Sequence, residues 1–356
     1  ERPSPHGMFL SFDSSYLYTT NIRGLGEMAI DAWDVESGSL LNCPTITTSN
    51  GIPHNPSVSF DGSMLFLTHS GGTSKANSAF QVGENGCLLA ESEEVFETDL
   101  NPFGLLIVSP PSDSDIEVSG APTLEPTAEP TSSPTGEPSA PPTTEPTSSP
   151  TAAPTSLPTS NPTSEPTQAP TGDSTVHAFG EHVAIANRAA GSISLVDPLS
   201  LETVTEYELP DGGEPMYFAQ LAAKSELWVG DRANNRLVIL RMEGTELEVD
   251  GFIDTPAGLF HSMPMQRTGD DYPIVVTTCD IDNVAVAHDL TTRRLLGTMD
   301  APTEAVDAGM KPHDITTNGD YVFVTYLGTG EENKGIVASY DALSFDLIDV
   351  LETVHD

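Results

Sequence analysis

Apolar residues in this chain come in short runs separated by turn residues, and the runs are of strand length. The first set is Met8 to Phe12, a turn at Asp13-Ser14-Ser15, Tyr16 to Thr20, and Ala29 to Val35. Runs this short, rich in β-branched and aromatic residues and bounded by Asp, Ser and Gly, predict strands. The same unit then recurs: apolar strand, turn, apolar strand, polar loop, a third strand carrying Asp, and a fourth. The second copy opens at Ile52-Pro53-His54-Asn55, turns at Asp61-Gly62 and continues Met64 to Thr68. The third opens at Asn101-Pro102-Phe103-Gly104 with Leu105 to Val108, and resumes at His182 to Asn187, Ser192 to Asp197 and Thr203 to Leu209. The fourth has Glu214-Pro215-Met216-Tyr217, Leu227 to Gly230 and Arg236 to Leu240. Gly258-Leu259-Phe260-His261, Ile274 to Thr278 and Asn283 to Asp289 belong to the fifth. The sixth has Lys311-Pro312-His313-Asp314, a turn at Asn318-Gly319-Asp320, Tyr321 to Tyr326 and Gly335 to Asp341.

Outside the interrupted third copy, the repeats are spaced by about 45 to 52 residues, with four short strands each, which is the signature of propeller blades. The fold class is therefore all-β: a β-propeller of four-stranded blades, six of them visible. Tandem immunoglobulin-like domains are the alternative, disfavoured because the repeats carry four strands and follow without linkers.

One stretch departs from this pattern altogether. Proline recurs every fourth residue from Pro122 to Pro170, thirteen times in register, followed by Thr in every case but Ser139. With no aromatic residue, Lys or Arg, it cannot bury a core and is expected to be a solvated polyproline-II rod. Residues 1–112 are read as blades 1 and 2 and the start of blade 3, residues 113–173 as a disordered Pro-Thr stalk, and residues 174–356 as the rest of the same propeller. Threonine beside proline is the composition of O-glycosylated stalks, and the low-complexity repeat resembles those of secreted and cell-wall proteins of microalgae.

The net charge of −40, with only nine acids between Asp113 and Asp173, leaves an acidic folded part. Such a field repels phosphate backbones, so no nucleic-acid partner is expected. No apolar run is long enough to span a membrane. Cys43, Cys87 and Cys279 show no zinc spacing; Cys43 and Cys87 sit late in successive repeats, either bridged between neighbouring blades or as buried free thiols. Asn55 and Asn161 are each followed by Pro and cannot accept an N-glycan. The absence of an initial Met and of a signal peptide is read as a mature or trimmed form of a secreted protein, extracellular or in the cell wall.

Two copies carry a family likeness. Pro5-His6-Gly7 through Asp13 to Tyr16-Leu17-Tyr18-Thr19-Thr20-Asn21, and Pro312-His313-Asp314 through Gly319 to Tyr321-Val322-Phe323-Val324-Thr325, resemble the signature of YVTN/lactonase-like propellers. That family usually has seven blades, so the resemblance implies either a six-bladed member or a blade outside this sequence. It also implies, for an enzyme, hydrolysis of a sugar lactone at the channel mouth by His and acidic residues.

Aligning the repeats puts His6, His54, Phe103, Met216, His261 and His313 at matching or nearly matching positions at the start of the inner strand. Inner strands ring one channel, so these side chains are expected at its mouth. His6, His54, His261 and His313 are candidate ligands for a transition metal (Cu, Fe or Zn), and Phe103 and Met216 are candidate ligand-binding residues. The idea resembles the four-histidine iron site of carotenoid-cleaving oxygenases, through His313-Asp314 and nearby threonines, although the other hallmarks of that family are missing. The bland alternative is that each imidazole bonds backbone near the channel. Asp280, Asp282 and Asn283 have calcium-like spacing without the Gly and distal Glu of an EF-hand loop. Asp13, Asp61, Asn318 and Asp320 are read as turn residues, the histidines at 69, 177, 182, 288 and 355 as surface or packing residues, and Trp33 and Trp228 as packing. The leading expectation is an extracellular propeller that binds a small molecule, protein or polysaccharide at the channel mouth. Its rival is an enzyme, a lactonase-like hydrolase or a His-ligated metal-dependent oxidase or oxygenase.

Overall fold

The computed structural model describes residues 4–23, 29–44, 46–47, 50–108, 182–221, 224–268, 273–328 and 335–353. The Pro-Thr stretch, Asn161, His177 and His355 lie outside the described residues.

Six antiparallel sheets follow one another along the chain, and in each the strand order is the chain order. Blade 1 contains β1 (Ser4–Leu10), β2 (Tyr16–Arg23) and β3 (Ala29–Asp34), with the two-residue strands β4 (Ser39–Leu40) and β5 (Ile46–Thr47) both paired to β3. Blade 2 is β6 (Ile52–Val58), β7 (Met64–Ser70), β8 (Ala76–Gln81) and β9 (Glu94–Glu97). Blade 3 is β10 (Pro102–Val108), β11 (His182–Asn187), β12 (Ser192–Val196) and β13 (Thr203–Glu208). Val108 pairs directly with His182, so β10 and β11 are adjacent although residues 109–181 lie between them in sequence. Blade 4 is β14 (Pro215–Leu221), β15 (Glu226–Asp231), β16 (Arg236–Glu243) and β17 (Glu246–Asp254). Blade 5 is β18 (Leu259–Met265), β19 (Ile274–Cys279), β20 (Val284–Asp289) and β21 (Leu295–Asp300). A one-turn helix, α1 (Thr303–Asp307), leads to blade 6: β22 (Lys311–Thr317), β23 (Tyr321–Leu327), β24 (Gly335–Asp341) and β25 (Leu347–Thr353).

The inner strands begin earlier than the apolar runs suggested. β1 starts at Ser4, not Met8, because Pro5 pairs with Asn21 and the ladder resumes at Met8 after a bulge. The turn residues act as their types demand: Asp13 accepts from the Ser15 N–H, Asp61 from Ser63, and Asn318 from Asp320 and Tyr321.

Core packing is repetitive. Five apolar clusters each bridge successive blades, because a blade buried on both faces needs apolar side chains on both. Tyr18 and Ile30 meet Val58 and Leu65. Phe66 and Phe96 meet Leu105 and Ile185. Leu195 meets Phe218, Trp228 meets Leu259, and Val276 meets Val324. Every residue of β15 and of β19 is accordingly buried. Trp228 is fully buried, its Nε1–H donating to Glu226 at 2.9 Å.

No such cluster joins blade 6 to blade 1 among the described residues. β24 alternates half-buried and buried positions, as expected of a sheet covered on one face only. A disulfide between Cys43 and Cys87, with Cα atoms 5.4 Å apart, ties blade 1 to blade 2, while Cys279 is free and buried. Trp33 is half-buried and donates to the Thr19 hydroxyl at 3.2 Å.

Candidate functional site: the channel mouth

Each inner strand interrupts its pairing at the same place. The register breaks between Pro5 and Met8, Pro53 and Pro56, Pro102 and Leu105, Pro215 and Phe218, Leu259 and Ser262, and Pro312 and Ile315. Two residues per blade are thus freed from the ladder: His6-Gly7, His54-Asn55, Phe103-Gly104, Met216-Tyr217, Phe260-His261 and His313-Asp314. A β-bulge re-aims side chains out of the pleat, and here it aims them at the axis.

These residues pack into a ring of rings. His6 lies 4.5 Å from His54, His54 3.9 Å from Phe103, Phe103 5.4 Å from Tyr217, Tyr217 4.2 Å from His261 and Phe260 4.5 Å from His313, centroid to centroid. His6 and His313 are 5.6 Å apart. The crowding explains two glycines: a Cβ on Gly7 would sit 1.9 Å from the His54 carbonyl oxygen, and one on Gly104 2.1 Å from that of Met216.

The structure brings His6, His54, Phe103, His261 and His313 together in this ring. Met216 is placed differently. It is fully buried in the cluster between blades 4 and 5, and its neighbour Tyr217 enters the ring. In blade 5 the first bulge position is held by Phe260, with His261 one residue further on.

The imidazoles are engaged one by one. His54 Nδ1 lies 3.2 Å from the Phe103 carbonyl, which can only accept, so Nδ1 carries the proton. Burial pushes the His54 pKa well below its ordinary value, and burial also lowers that of His6. Both are neutral at neutral pH. His261 Nδ1 and His313 Nδ1 lie 3.4 and 3.1 Å from the carboxylate of Asp314, at angles that leave neither nitrogen an aligned hydrogen-bond partner. Burial alone would raise the Asp314 pKa; its contacts with His261 and His313 outweigh that and hold the carboxyl below the usual range.

Among the described residues, no group of three or more His, Cys, Asp or Glu side chains is placed to hold a metal ion. His54 is engaged with backbone through Nδ1, and the Nδ1 atoms of His261 and His313 face Asp314. In the Asp280–Asp282–Asn283 segment both carboxylates are engaged by the protein: Asp280 receives Arg232 at 3.0 Å through both oxygens, and Asp282 accepts the Ala257 N–H at 2.7 Å.

Sequence reasoning missed the rim. The Arg188 guanidinium carbon lies 5.1 Å from the centroid of the Phe103 ring and that of Arg232 5.8 Å from the centroid of Phe260. Arg188 pairs with Glu214 at 2.5 Å, and Arg232 also donates to the Gly258 and Leu259 carbonyls at 3.1 and 3.0 Å. A groove of about 460 Å³ runs outward beside Arg188, lined by Gly191, Glu208, Gly213, Glu214 and Ala233. The signal was present: Asn187-Arg188-Ala189 and Asp231-Arg232-Ala233 occupy one register in adjacent blades. Asp314 was visible in the sixth motif only as the neighbour of His313.

Solved structures resemble the whole chain. A candidate 6-phosphogluconolactonase from Bacteroides fragilis aligns with a TM-score of 0.61 at 12% identity, over 98% of this chain and 85% of that one. A candidate 6-phosphogluconolactonase from Bacteroides uniformis aligns at 0.59 and 12% identity, with the same coverages. What they share with it is the fold. The β-propeller domain of Cps50 (Swd1) from Myceliophteria thermophila aligns as well, at 0.59 and 10% identity over 99% of this chain and 86% of that domain, so the likeness carries no single activity. No protein-family model matches this chain, and no curated protein matches it in sequence.

Proposed function

We propose that this propeller binds a small polar ligand at its channel mouth, over the ring formed by the six bulges. The observation that carries the reading is Asp314: a half-buried carboxylate flanked by two imidazoles, beside the neutral His6 and His54. Such a group offers acceptors and donors for a hydroxyl-rich molecule, while Phe103, Tyr217 and Phe260 offer apolar faces for the flat side of a sugar ring. An extracellular setting, with cell-wall or matrix association, is supported by the Cys43–Cys87 disulfide, which persists in oxidising compartments, and by the Pro-Thr composition.

A lactonase-like hydrolase is the second reading, favoured by the 3.1 Å approach of His313 Nδ1 to Asp314. An imidazole beside a carboxylate can take a proton from an attacking water once substrate binding aligns the pair. One experiment addresses both. Thermal shift and hydrolysis assays with D-gluconate, δ-gluconolactone and 6-phosphogluconolactone are run on the chain and on Asp314→Asn. Binding predicts a rise in Tm with at least one compound, lost in Asp314→Asn; turnover above the uncatalysed rate, also lost, establishes the hydrolase. No shift and no turnover with any of the three would sink both readings for sugar acids and their lactones.

A further inference from the structure

The groove beside Arg188 is open because one turn lacks the side chain that closes the next seam. The β11–β12 turn, residues 188–191, and the β15–β16 turn, residues 232–235, have the same length, and each sends an arginine to the following blade. In the second turn, Asn235 Oδ1 accepts the Gly258 N–H at 2.8 Å and Arg232 donates to the Gly258 and Leu259 carbonyls, which laces the turn to the entry of blade 5. In the first, Gly191 stands where Asn235 stands and has no side chain to cross. The connection into blade 4 is also longer, residues 209–214 between β13 and β14 against residues 255–258 between β17 and β18. Between that longer connection and the bare turn lies the groove of about 460 Å³.

Its walls are fixed by the protein's own bonds. The Leu209 N–H donates to the Gly191 carbonyl at 2.9 Å, the Glu214 N–H to Asp231 at 3.0 Å and Arg236 to the Pro210 carbonyl at 3.0 Å, so a ligand meets a groove already in shape. Arg188 belongs to both the groove and the ring, since its guanidinium lies over Phe103. The groove therefore leads away from the aromatic side of the channel mouth. Its volume is that of a ligand site and exceeds what one sugar ring fills.

The lining selects the occupant. Glu208 and Glu214 present carboxylate oxygens and Arg188 presents N–H groups, a mixture that hydroxyls meet both as donors and as acceptors. Two glutamates on a chain of net charge −40 disfavour a polyanion. Of the described lining residues, Leu209 alone is a large apolar side chain and it is buried, so the groove offers no apolar pocket for the anchors of a bound peptide.

We propose, resting on the mouth reading above, that the ligand is one residue of a neutral polysaccharide whose chain continues past Arg188 into the groove between blades 3 and 4. The test is isothermal titration calorimetry with D-glucose, D-mannose and D-galacturonate, with the β-1,4-linked tetrasaccharides of glucose and mannose, with the β-1,3-linked tetrasaccharide of glucose, and with tetragalacturonate. At least one neutral tetrasaccharide is expected to bind roughly tenfold or more tightly than its own monosaccharide, with no such gain for tetragalacturonate. Ala189→Leu/Ala233→Leu, which puts two larger side chains into the groove from exposed positions, is expected to abolish the gain, and Ala233→Leu alone to reduce it. Equal affinity for monosaccharide and tetrasaccharide in every neutral series overturns the proposal and leaves the mouth reading standing. So does a gain that survives both variants, which would route the chain elsewhere. A gain confined to tetragalacturonate gives the groove to a polyanion and overturns it as well. Binding of no neutral sugar, short or long, also overturns it, and the assays with gluconate and the two lactones then decide separately whether the mouth reading falls too.

Discussion

Blades 1, 2 and 5 reach forward to the next blade with a threonine, and blades 3 and 4 with an arginine. Thr20 accepts the Gly7 N–H at 2.8 Å and donates to the His54 carbonyl; Thr68 accepts Asn55 N–H at 3.1 Å and donates to the Phe103 carbonyl at 2.8 Å. The same register holds Ala186 and Gly230 in blades 3 and 4, which have no hydroxyl to offer. There, two residues further on, Arg188 and Arg232 cross to Glu214 and Asp280 of the following blade. A hydroxyl is short and leaves room at the axis for an imidazole. A guanidinium is long and planar and settles over an aromatic ring, as at Phe103 and Phe260. The channel mouth thus has a histidine side at blades 1 and 2 and an aromatic side at blades 3 and 4.

Acid should separate the two sides with the largest effect. Burial lowers the pKa of His6, His54 and His69, the last to about 4, and all three lie in blades 1 and 2. A histidine with a depressed folded pKa binds its proton more tightly when unfolded, so its stabilisation is complete above about pH 6.5 and is lost as pH falls towards the folded value. For His69 the drop to about 4 corresponds to a loss on the order of 3 kcal/mol. Hydrogen exchange between pH 7 and 4 should show blades 1 and 2 losing protection before blades 3 and 4; simultaneous loss would break the contrast.

Arg232→Ala is expected to cost about 2–3 kcal/mol in urea denaturation, since it strands Asp280 and two carbonyls at one seam. A loss within about 0.5 kcal/mol would mean that the arginine is ornamental and the seam is held by apolar packing alone. Thr68→Val, which keeps the shape and removes the hydroxyl, should cost about 1–2 kcal/mol by leaving the Asn55 N–H without its acceptor. An unchanged midpoint would show that the threonine connector is dispensable where the arginine one is not.

The blade boundaries were legible because five of the six bulges open on proline, at 5, 53, 102, 215 and 312, a residue that tolerates the edge of a ladder break. Leu259 is the exception, and the fifth repeat was the one whose histidine was offset. Inside a bulge the alternation of faces is suspended, so pattern alone could not decide between Met216 and Tyr217 or between Phe260 and His261. Arg188 and Arg232 escaped notice for a different reason. Their role depends on a partner in the next blade, and nothing local to Asn187-Arg188 announces Glu214. The histidines were found because three of them share a position and the fourth lies one residue further on; Asp314 was seen only as part of the His313-Asp314 motif, because its distance to two imidazoles is what gives it meaning.

The Cys43–Cys87 bond takes on a directional role once the six blades are seen as a row with two ends. A row held by nearest-neighbour contacts frays from its ends, since an end unit has one neighbour to lose and an inner unit two. Blade 1, whose outer edge is two strands of two residues each, would be the weaker end, yet it is the one stapled to its neighbour. Closing a loop across 44 residues of sequence removes denatured-chain freedom worth about 4 kcal/mol. The staple thus makes unzipping one-way, with blade 6 peeling first and blade 1 last, and a reducing environment would turn that order around.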